Sequence, residues 1–138
     1  MNLHGRFEVM LIGYAGRFAS DNSETMLKSA RRELSSLVCV CFCEFKNSQV
    51  EKADVYVIDA AVGITNALTL IQFVRIEYPK SGVVLLCRGR SSDERIEGYA
   101  AGADLCLNWP HQSPEIWACT DSLLRRMQVT AGVNKKIS

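Results

Sequence analysis

The chain has 138 residues, of which 48% are hydrophobic and 22% are charged, and its formal net charge at pH 7 is +1. This length and balance fit one globular domain with its own core and exclude a disordered or fibrous protein. No apolar run reaches the ~20 residues of a membrane-spanning helix, and no basic block marks a phosphate-binding stripe, so we expect neither membrane association nor direct nucleic-acid binding.

Short apolar runs, typical of strands, alternate along the chain with segments of helical periodicity. The predicted strands are Phe7–Ile12, Val38–Cys43, Asp54–Asp59, Val83–Cys87 and Asp104–Asn108. The predicted helices begin at Ser20 or Ser23, at Ala67, at Ser91 or Ser92, and at Ser113. The last of them ends near Met127, so residues 1–127 are expected to form the domain and the polar residues 128–138 a tail or linker.

The alternation of strands and helices predicts an α/β fold with a doubly wound, five-stranded parallel sheet. Only residues 44–53 connect the second and third strands, fewer than the dozen or so that a crossover needs. The second helix is therefore expected to be one turn over residues 48–52 or an irregular segment.

Six cysteines lie within apolar runs rather than in glycine-rich loops, and the N-terminus lacks the apolar stretch of a signal peptide. This use of cysteine predicts small buried thiols in a reducing, cytoplasmic environment instead of a disulfide framework. Cys39, Cys41 and Cys43 alternate along one strand, a spacing that rarely converges on zinc, so no metal site is expected.

In a doubly wound sheet, ligands bind at the carboxyl ends of the strands. Gly13 and Tyr14 follow the first strand, and Asp59 ends the third. Cys87 ends the fourth strand, and Trp109 follows the fifth. The stretch Gly13-Tyr14-Ala15-Gly16 lacks the fingerprint of a phosphate-binding loop, so it is interpreted as a turn.

Three segments carry a family resemblance: Ala53–Gly63, Ala101–Pro110 with its A-G-A-D start, and Ser113–Arg126 with its L-L-R-R end. Together they resemble the receiver domain of two-component response regulators, most of all receivers of the winged-helix, OmpR-like class. The resemblance covers residues 7–127. It implies the flavodoxin-like receiver fold and a C-terminal DNA-binding effector domain in the full-length protein.

The resemblance also locates the family's phosphoryl switch, which needs a carboxylate acceptor, an acidic pair for Mg²⁺ and a lysine that contacts the phosphoryl group. Asp59 matches the acceptor. The other positions depart from the family: the acidic pair falls on Gly13 and Tyr14, the Thr/Ser on Cys87, the switching aromatic on Cys106 and the Lys on Trp109. We therefore expect a degenerate, non-enzymatic receiver without cofactor, in which Asp59 is inactive.

In the family, receivers of this class dimerise through the fourth helix, the fifth strand and the fifth helix. Carried over by position, Arg95 pairs with Glu115 across a two-fold axis and Asp104 with Arg126, while Leu105 extends an apolar patch. The expected function is regulation of transcription through a homodimer, without phosphorylation.

Two alternatives stay open at this point. One is a conventional receiver that accepts phosphate at Asp59. The other is a small-ligand sensor that uses the altered pocket around Tyr14, Asp59, Cys87 and Trp109.

Overall fold

The structure is a computed structural model that describes residues 7–47, 49–89, 92–108 and 113–137, with the backbone alone at 113 and 128–137. Seven strands occur in these ranges: β1 (Phe7–Gly13), β2 (Arg17–Phe18), β3 (Asp21–Asn22), β4 (Val38–Glu44), β5 (Val55–Asp59), β6 (Gly82–Leu86) and β7 (Leu105–Leu107). The helices are α1 (Ser23–Glu33), α2 (Ile64–Glu77), α3 (Asp93–Ala101) and α4 (Ser113–Ile137), with a 3-10 turn at Ala60–Val62.

The main sheet has the order β4-β1-β5-β6-β7, and all of its neighbouring strands run parallel. This arrangement confirms the predicted doubly wound fold. Strands β5 and β6 are buried along their whole length because helices cover both faces. On one face, α1 and α4 pack together, and Trp117 of α4 donates its indole N–H to Ser29 of α1 at 2.9 Å. On the other face, α2 packs against α3.

The N-cap of helix α1 is Asn22, which lies between the two predicted caps Ser20 and Ser23. The side chain of Asn22, rather than that of Ser20 or Ser23, accepts the backbone N–H of Thr25 at 2.7 Å. Asn is as good an N-cap as Ser, so the predicted caps Ser20 and Ser23 were wrong in residue but close in position. The residues before Asn22 are thereby released from the helix.

The connection between β4 and β5 contains no helix in its described residues, which confirms the expected short or irregular segment. Hydrogen bonds hold this segment against the sheet: Asp54 donates its backbone N–H to Glu8 at 2.9 Å, and Ala53 donates to the Tyr56 hydroxyl at 2.8 Å. Because β4 is an edge strand without a helix over this face, Cys39 and Cys41 are exposed. The prediction that these thiols are buried is therefore wrong.

Helix α4 continues to Ile137, ten residues past the predicted end at Met127. The prediction of an end near Met127 is therefore wrong; no proline or glycine follows that residue closely enough to stop the helix at once. Whether residues 128–138 act as a linker stays a prediction. Among the described helices, none is long and apolar enough to cross a membrane.

Candidate functional site

A small hairpin occupies the connection from β1 to α1, at the carboxyl edge of the sheet. Tyr14 and Arg17 form an antiparallel bridge, and between them Ala15 and Gly16 both have positive φ, at 56° and 69°. Two such residues in sequence are the pattern of the tight turns that close hairpins. The predicted turn at Gly13–Gly16 is therefore confirmed, and it opens onto a hairpin that the sequence analysis missed.

A second tight turn follows at once and closes the β2–β3 hairpin. Ala19 and Ser20 again have positive φ, at 52° and 71°. Neither residue favours this region, which for an L-residue is disfavoured by about 1–2 kcal/mol. Phe18, in the strand between the two turns, is fully buried in the core and anchors the hairpin. Burial of this aromatic ring offsets the strain of the turns.

Asp59, at the end of β5, lies beneath this hairpin with only 2% of its surface exposed. Its Oδ2 accepts the backbone N–H of Ala19 at 2.8 Å, and its Oδ1 accepts the N–H of Ala61 at 3.0 Å. One bond joins the carboxylate to the hairpin and the other joins it to its own 3-10 turn. Both oxygens are thus engaged by the chain itself.

Arg88 places a positive charge near this carboxylate. Its Nη1 lies 3.6 Å from Asp59 Oδ1, a separation longer than a hydrogen bond, and its side chain is 43% exposed. The backbone N–H of Arg88 donates to Glu94 Oε1 at 2.8 Å, which fixes the loop after β6 against the first turn of α3. Arg88 therefore balances the charge of Asp59 from the solvent side.

Glu44, at the end of β4, holds the first turn of the hairpin. Its two carboxylate oxygens accept the backbone N–H groups of Ala15 and of Gly16, the latter at 3.1 Å. Because these donors sit in a turn with consecutive positive φ values, they converge on one anion, as in a backbone nest. Glu44 and Asp59 together fasten the hairpin at two points.

The predicted pocket residues have separate surroundings. Gly13 is buried, and a Cβ there would lie 2.2 Å from the carbonyl oxygen of Arg17, so the hairpin needs glycine at this position. Tyr14 is 58% exposed, and Cys87 is fully buried. Trp109 lies outside the described residues. Because Trp109 is not described, the pocket expected around Tyr14, Asp59, Cys87 and Trp109 stays a prediction.

The thiol of Cys87 faces that of Cys106 on the neighbouring strand. A hydrogen bond between the two thiols, followed by burial, raises the pKa of Cys87. The backbone N–H of Cys87 also donates to Leu107 at 2.8 Å. A neutral, buried thiol of this kind is a packing residue and a poor nucleophile.

The site does not fit Mg²⁺. This ion prefers octahedral oxygen coordination with one or two carboxylates, but both oxygens of Asp59 are taken by backbone N–H groups, and Gly13 and Tyr14 provide no carboxylate. Within the described ranges, no group of three or more His, Cys, Asp or Glu side chains could hold a metal ion.

The predicted dimer surface corresponds to α3, β7 and α4. Arg95 on α3 and Glu115 and Arg126 on α4 are exposed, and Leu105 on β7 is half-buried. Asp104 is engaged within its own chain: its Oδ2 lies 2.6 Å from Arg75 Nη2 and accepts the N–H of Val83 at 2.7 Å. The predicted pairing of Asp104 with Arg126 would have to compete with this clamp.

Of the comparisons with known proteins, the one with solved structures finds similar folds. No family model matches the sequence, and no curated protein matches it significantly. Among solved structures, the receiver domain of the Francisella response regulator 1452 is 18% identical with a TM-score of 0.65 over 88% of this chain and 99% of that one. The response regulator DrrB of Thermotoga maritima, an OmpR/PhoB homologue, is 18% identical with a TM-score of 0.68 over 88% of this chain and 54% of that one.

A third similar structure is that of an adenylate cyclase from Rhodopirellula baltica, at 18% identity and a TM-score of 0.67 over 96% and 97% of the two chains. The chain therefore has the flavodoxin-like fold of receiver domains. At this identity the likeness concerns the fold and not the chemistry of the site.

Proposed function

We propose that this chain is a regulatory receiver domain that signals without phosphorylation, by forming a homodimer through α3, β7 and α4. The observation that carries the first part is the state of Asp59, which is 2% exposed and hydrogen-bonded through both oxygens. Phosphoryl transfer needs an oxygen with open access to the donor and a cation that neutralises the developing charge. Neither condition fits the closed hairpin.

The second part of the proposal rests on the surface of α3. Ile96 and Tyr99 lie one turn apart on this helix and are 63% and 49% exposed, an apolar pair without cover among the described residues. Arg95 next to them and Glu115 on α4 provide opposite charges. A two-fold axis that places Arg95 against Glu115 of the second copy also places Glu115 against the second copy's Arg95, so two identical ion pairs form.

In this arrangement, the dimer brings together whatever follows α4 in the full-length protein. A winged-helix DNA-binding domain fits that position, since dimers of such domains recognise half-sites of fixed spacing. Transcription would then be set by protein concentration or by a protein partner. We expect a signalling protein in the cytoplasm rather than an enzyme.

Phosphorylation is tested by intact-mass spectrometry after incubation with Mg²⁺ and acetyl phosphate. The expected result is no added phosphoryl mass, in the parent chain and in the Asp59→Asn variant alike. A receiver that is known to accept phosphate serves as the positive control for the donor. An adduct on the parent that is absent from Asp59→Asn would contradict the proposal and restore the conventional switch.

Dimerisation is tested by light scattering on Arg95→Glu. The reversed charge should lower the mass below that of the parent chain, because this contact is lost, and the double variant Arg95→Glu/Glu115→Arg should restore it. Lys28→Glu, an exposed charge reversal on α1, is the matched control and should leave the mass unchanged. An unchanged mass for Arg95→Glu would contradict this surface.

A further inference from the structure

The edge of the sheet opposite to β7 is formed by β4, which pairs with β1 alone among the described strands. The backbone N–H of Phe7 donates to the carbonyl of Leu37 at 3.0 Å, and that of Phe45 donates to the carbonyl of Gly13 at 2.8 Å. These two bonds show which residues of β4 direct their backbone groups toward β1 and which direct them away from it. Because alternate residues of an edge strand bond inward, the N–H and C=O groups of Val40 and Phe42 point outward. Within the described part of the chain, these groups have no strand beside them.

This edge lacks the devices that usually prevent pairing between molecules. The strand is seven residues long, is registered residue by residue with β1 without a bulge, and reads Val-Cys-Val-Cys-Phe-Cys-Glu, with neither lysine nor proline. Natural edges carry such residues, bulges or a covering helix because a long apolar edge recruits other strands. Cys39 and Cys41 on its uncovered face are exposed.

We propose that β4 pairs with β4 of a second copy of this chain, antiparallel and centred on Cys41, to form one continuous sheet across both molecules. A two-fold axis through Cys41 places Val40 opposite the second copy's Phe42. Both residues point their backbone N–H and C=O groups outward, so each donates one hydrogen bond to the other and accepts one from it. The two-fold axis repeats this exchange between Phe42 and the second copy's Val40. The alternation of the ladder permits this register, and because Cys41 is the midpoint of the seven-residue strand, it also pairs β4 along its whole length.

The same register aligns the side chains. Cys41 meets Cys41 of the second copy, and Cys39 meets the second copy's Cys43, so thiols face thiols along the whole face. These positions are the non-hydrogen-bonded pairs, in which the Cα atoms approach to about 4.5 Å and the side chains are closest. An isologous contact needs such self-complementarity, and the alternating Cys-Val-Cys-Phe-Cys order supplies it.

The charges at this edge permit the contact. The pKa of Cys41 is raised by its partial burial, then by the neighbouring thiols Cys39 and Cys43, and then by the carboxylates Glu8 and Glu51. It therefore faces its copy as a neutral thiol at pH 7. Glu44 at the end of the strand is bound to the backbone of its own hairpin. Glu8 lies on β1, and three strand spacings of about 4.8 Å would separate it from Glu8 of the second copy, beyond the Debye length of about 8 Å.

This contact is independent of the α3–β7–α4 surface, because β4 and β7 are opposite edges of the sheet. Either contact can form when the other is broken. If both form together, two different two-fold contacts join the molecules into an open chain. Their tests are therefore separate.

Cross-linking by diamide tests the register. This azo compound takes two electrons and two protons from a pair of thiols, which become a disulfide while the reagent becomes a hydrazine. Two triple variants are compared, both carrying Cys119→Ser to remove the other partly exposed thiol. One also carries Cys39→Ser and Cys43→Ser and keeps Cys41; the other carries Cys41→Ser and Cys43→Ser and keeps Cys39.

The variant that keeps Cys41 should form a covalent dimer at least about tenfold faster than the variant that keeps Cys39, because a separation of about 4.5 Å suits a disulfide and Cys39 does not face itself. Both thiols are exposed, so random collision would link them at similar rates. Similar rates, or faster linking through Cys39, would overturn the proposal.

Sedimentation equilibrium on Cys41→Lys provides a second, non-covalent test, with Cys39→Lys as the matched control. Cys41→Lys places two ammonium groups face to face at the axis, whereas Cys39→Lys places each one opposite a thiol. The first variant should weaken self-association at least about tenfold more than the second, whatever the α3–β7–α4 surface does. Equal effects, or no effect of Cys41→Lys, would leave this edge to another occupant and overturn the proposal.

Discussion

Replacing Asp59 with alanine removes the acceptor that joins the hairpin to the end of β5. The backbone N–H groups of Ala19 and Ala61 both lose their partner. A buried donor without an acceptor costs about 1–3 kcal/mol, and the lower half of this range applies because both donors are only partly buried. We therefore expect the free energy of unfolding to fall by about 2–4 kcal/mol. Arg88 adds little, since its exposed guanidinium returns to water.

Urea unfolding monitored by far-UV circular dichroism measures this loss. The comparison holds when the m-value, the slope of the free energy of unfolding against urea concentration, is the same in both proteins. Asp59→Asn keeps the shape of the side chain and one acceptor oxygen, so its free energy of unfolding should fall by about half as much as that of Asp59→Ala. Glu97→Ala, which removes an exposed carboxylate from α3, is the control and should change the free energy by less than about 0.5 kcal/mol.

The reasoning would be refuted by an Asp59→Ala variant as stable as the control. That result would mean that the carboxylate is hydrated and that the hairpin is open in solution. A readout specific to the hairpin is the amide exchange of Ala19, which should become faster in Asp59→Ala than in the parent chain.

Four further outcomes are expected. Glu44→Gln should lower the free energy of urea unfolding by about 0.5–1.5 kcal/mol, because one amide oxygen replaces two charged acceptors. Ala19→Gly should stay within about 1 kcal/mol of the parent by the same measurement, whereas Ala19→Val should lose more, since a β-branched residue fits a φ of 52° poorly. A double-mutant cycle of Arg75→Ala and Asp104→Ala should give a coupling energy of about 0.5–3 kcal/mol, and additive losses would contradict the clamp. Burial raises the pKa of Tyr56, so the folded state holds this proton more tightly than the unfolded state; stability should fall as pH rises above about 10, and Tyr56→Phe should flatten that fall in urea titrations.

The fold could be predicted from the sequence because its long elements have strong periodicity. Strands β5 and β6 are continuous apolar runs, which is typical of strands buried on both faces. The short connection at 44–53 already indicated that one crossover had no room for a helix. Because no helix follows β4 in the described residues of this connection, one face of this edge strand is uncovered, and Cys39 and Cys41 are exposed rather than buried.

The hairpin over Asp59 could not be predicted by the same reasoning. Strands of two residues have no periodicity. Three of the four positive-φ residues are Ala15, Ala19 and Ser20, and none of these residue types favours positive φ. Tertiary contacts decide this conformation, namely the burial of Phe18 and the two carboxylates that bind the turns. Only the two glycines at 13 and 16 marked the place in the sequence.

The hairpin also gives a structural reason for an aspartate at position 59. A buried carboxylate must have its charge balanced and its lone pairs satisfied. Here the backbone N–H groups of Ala19 and Ala61 donate to the two oxygens, and Arg88 lies 3.6 Å away and balances the charge. Asp59 is therefore accounted for as a residue that fastens the β1–α1 connection, and its presence alone does not argue for a working phosphoacceptor.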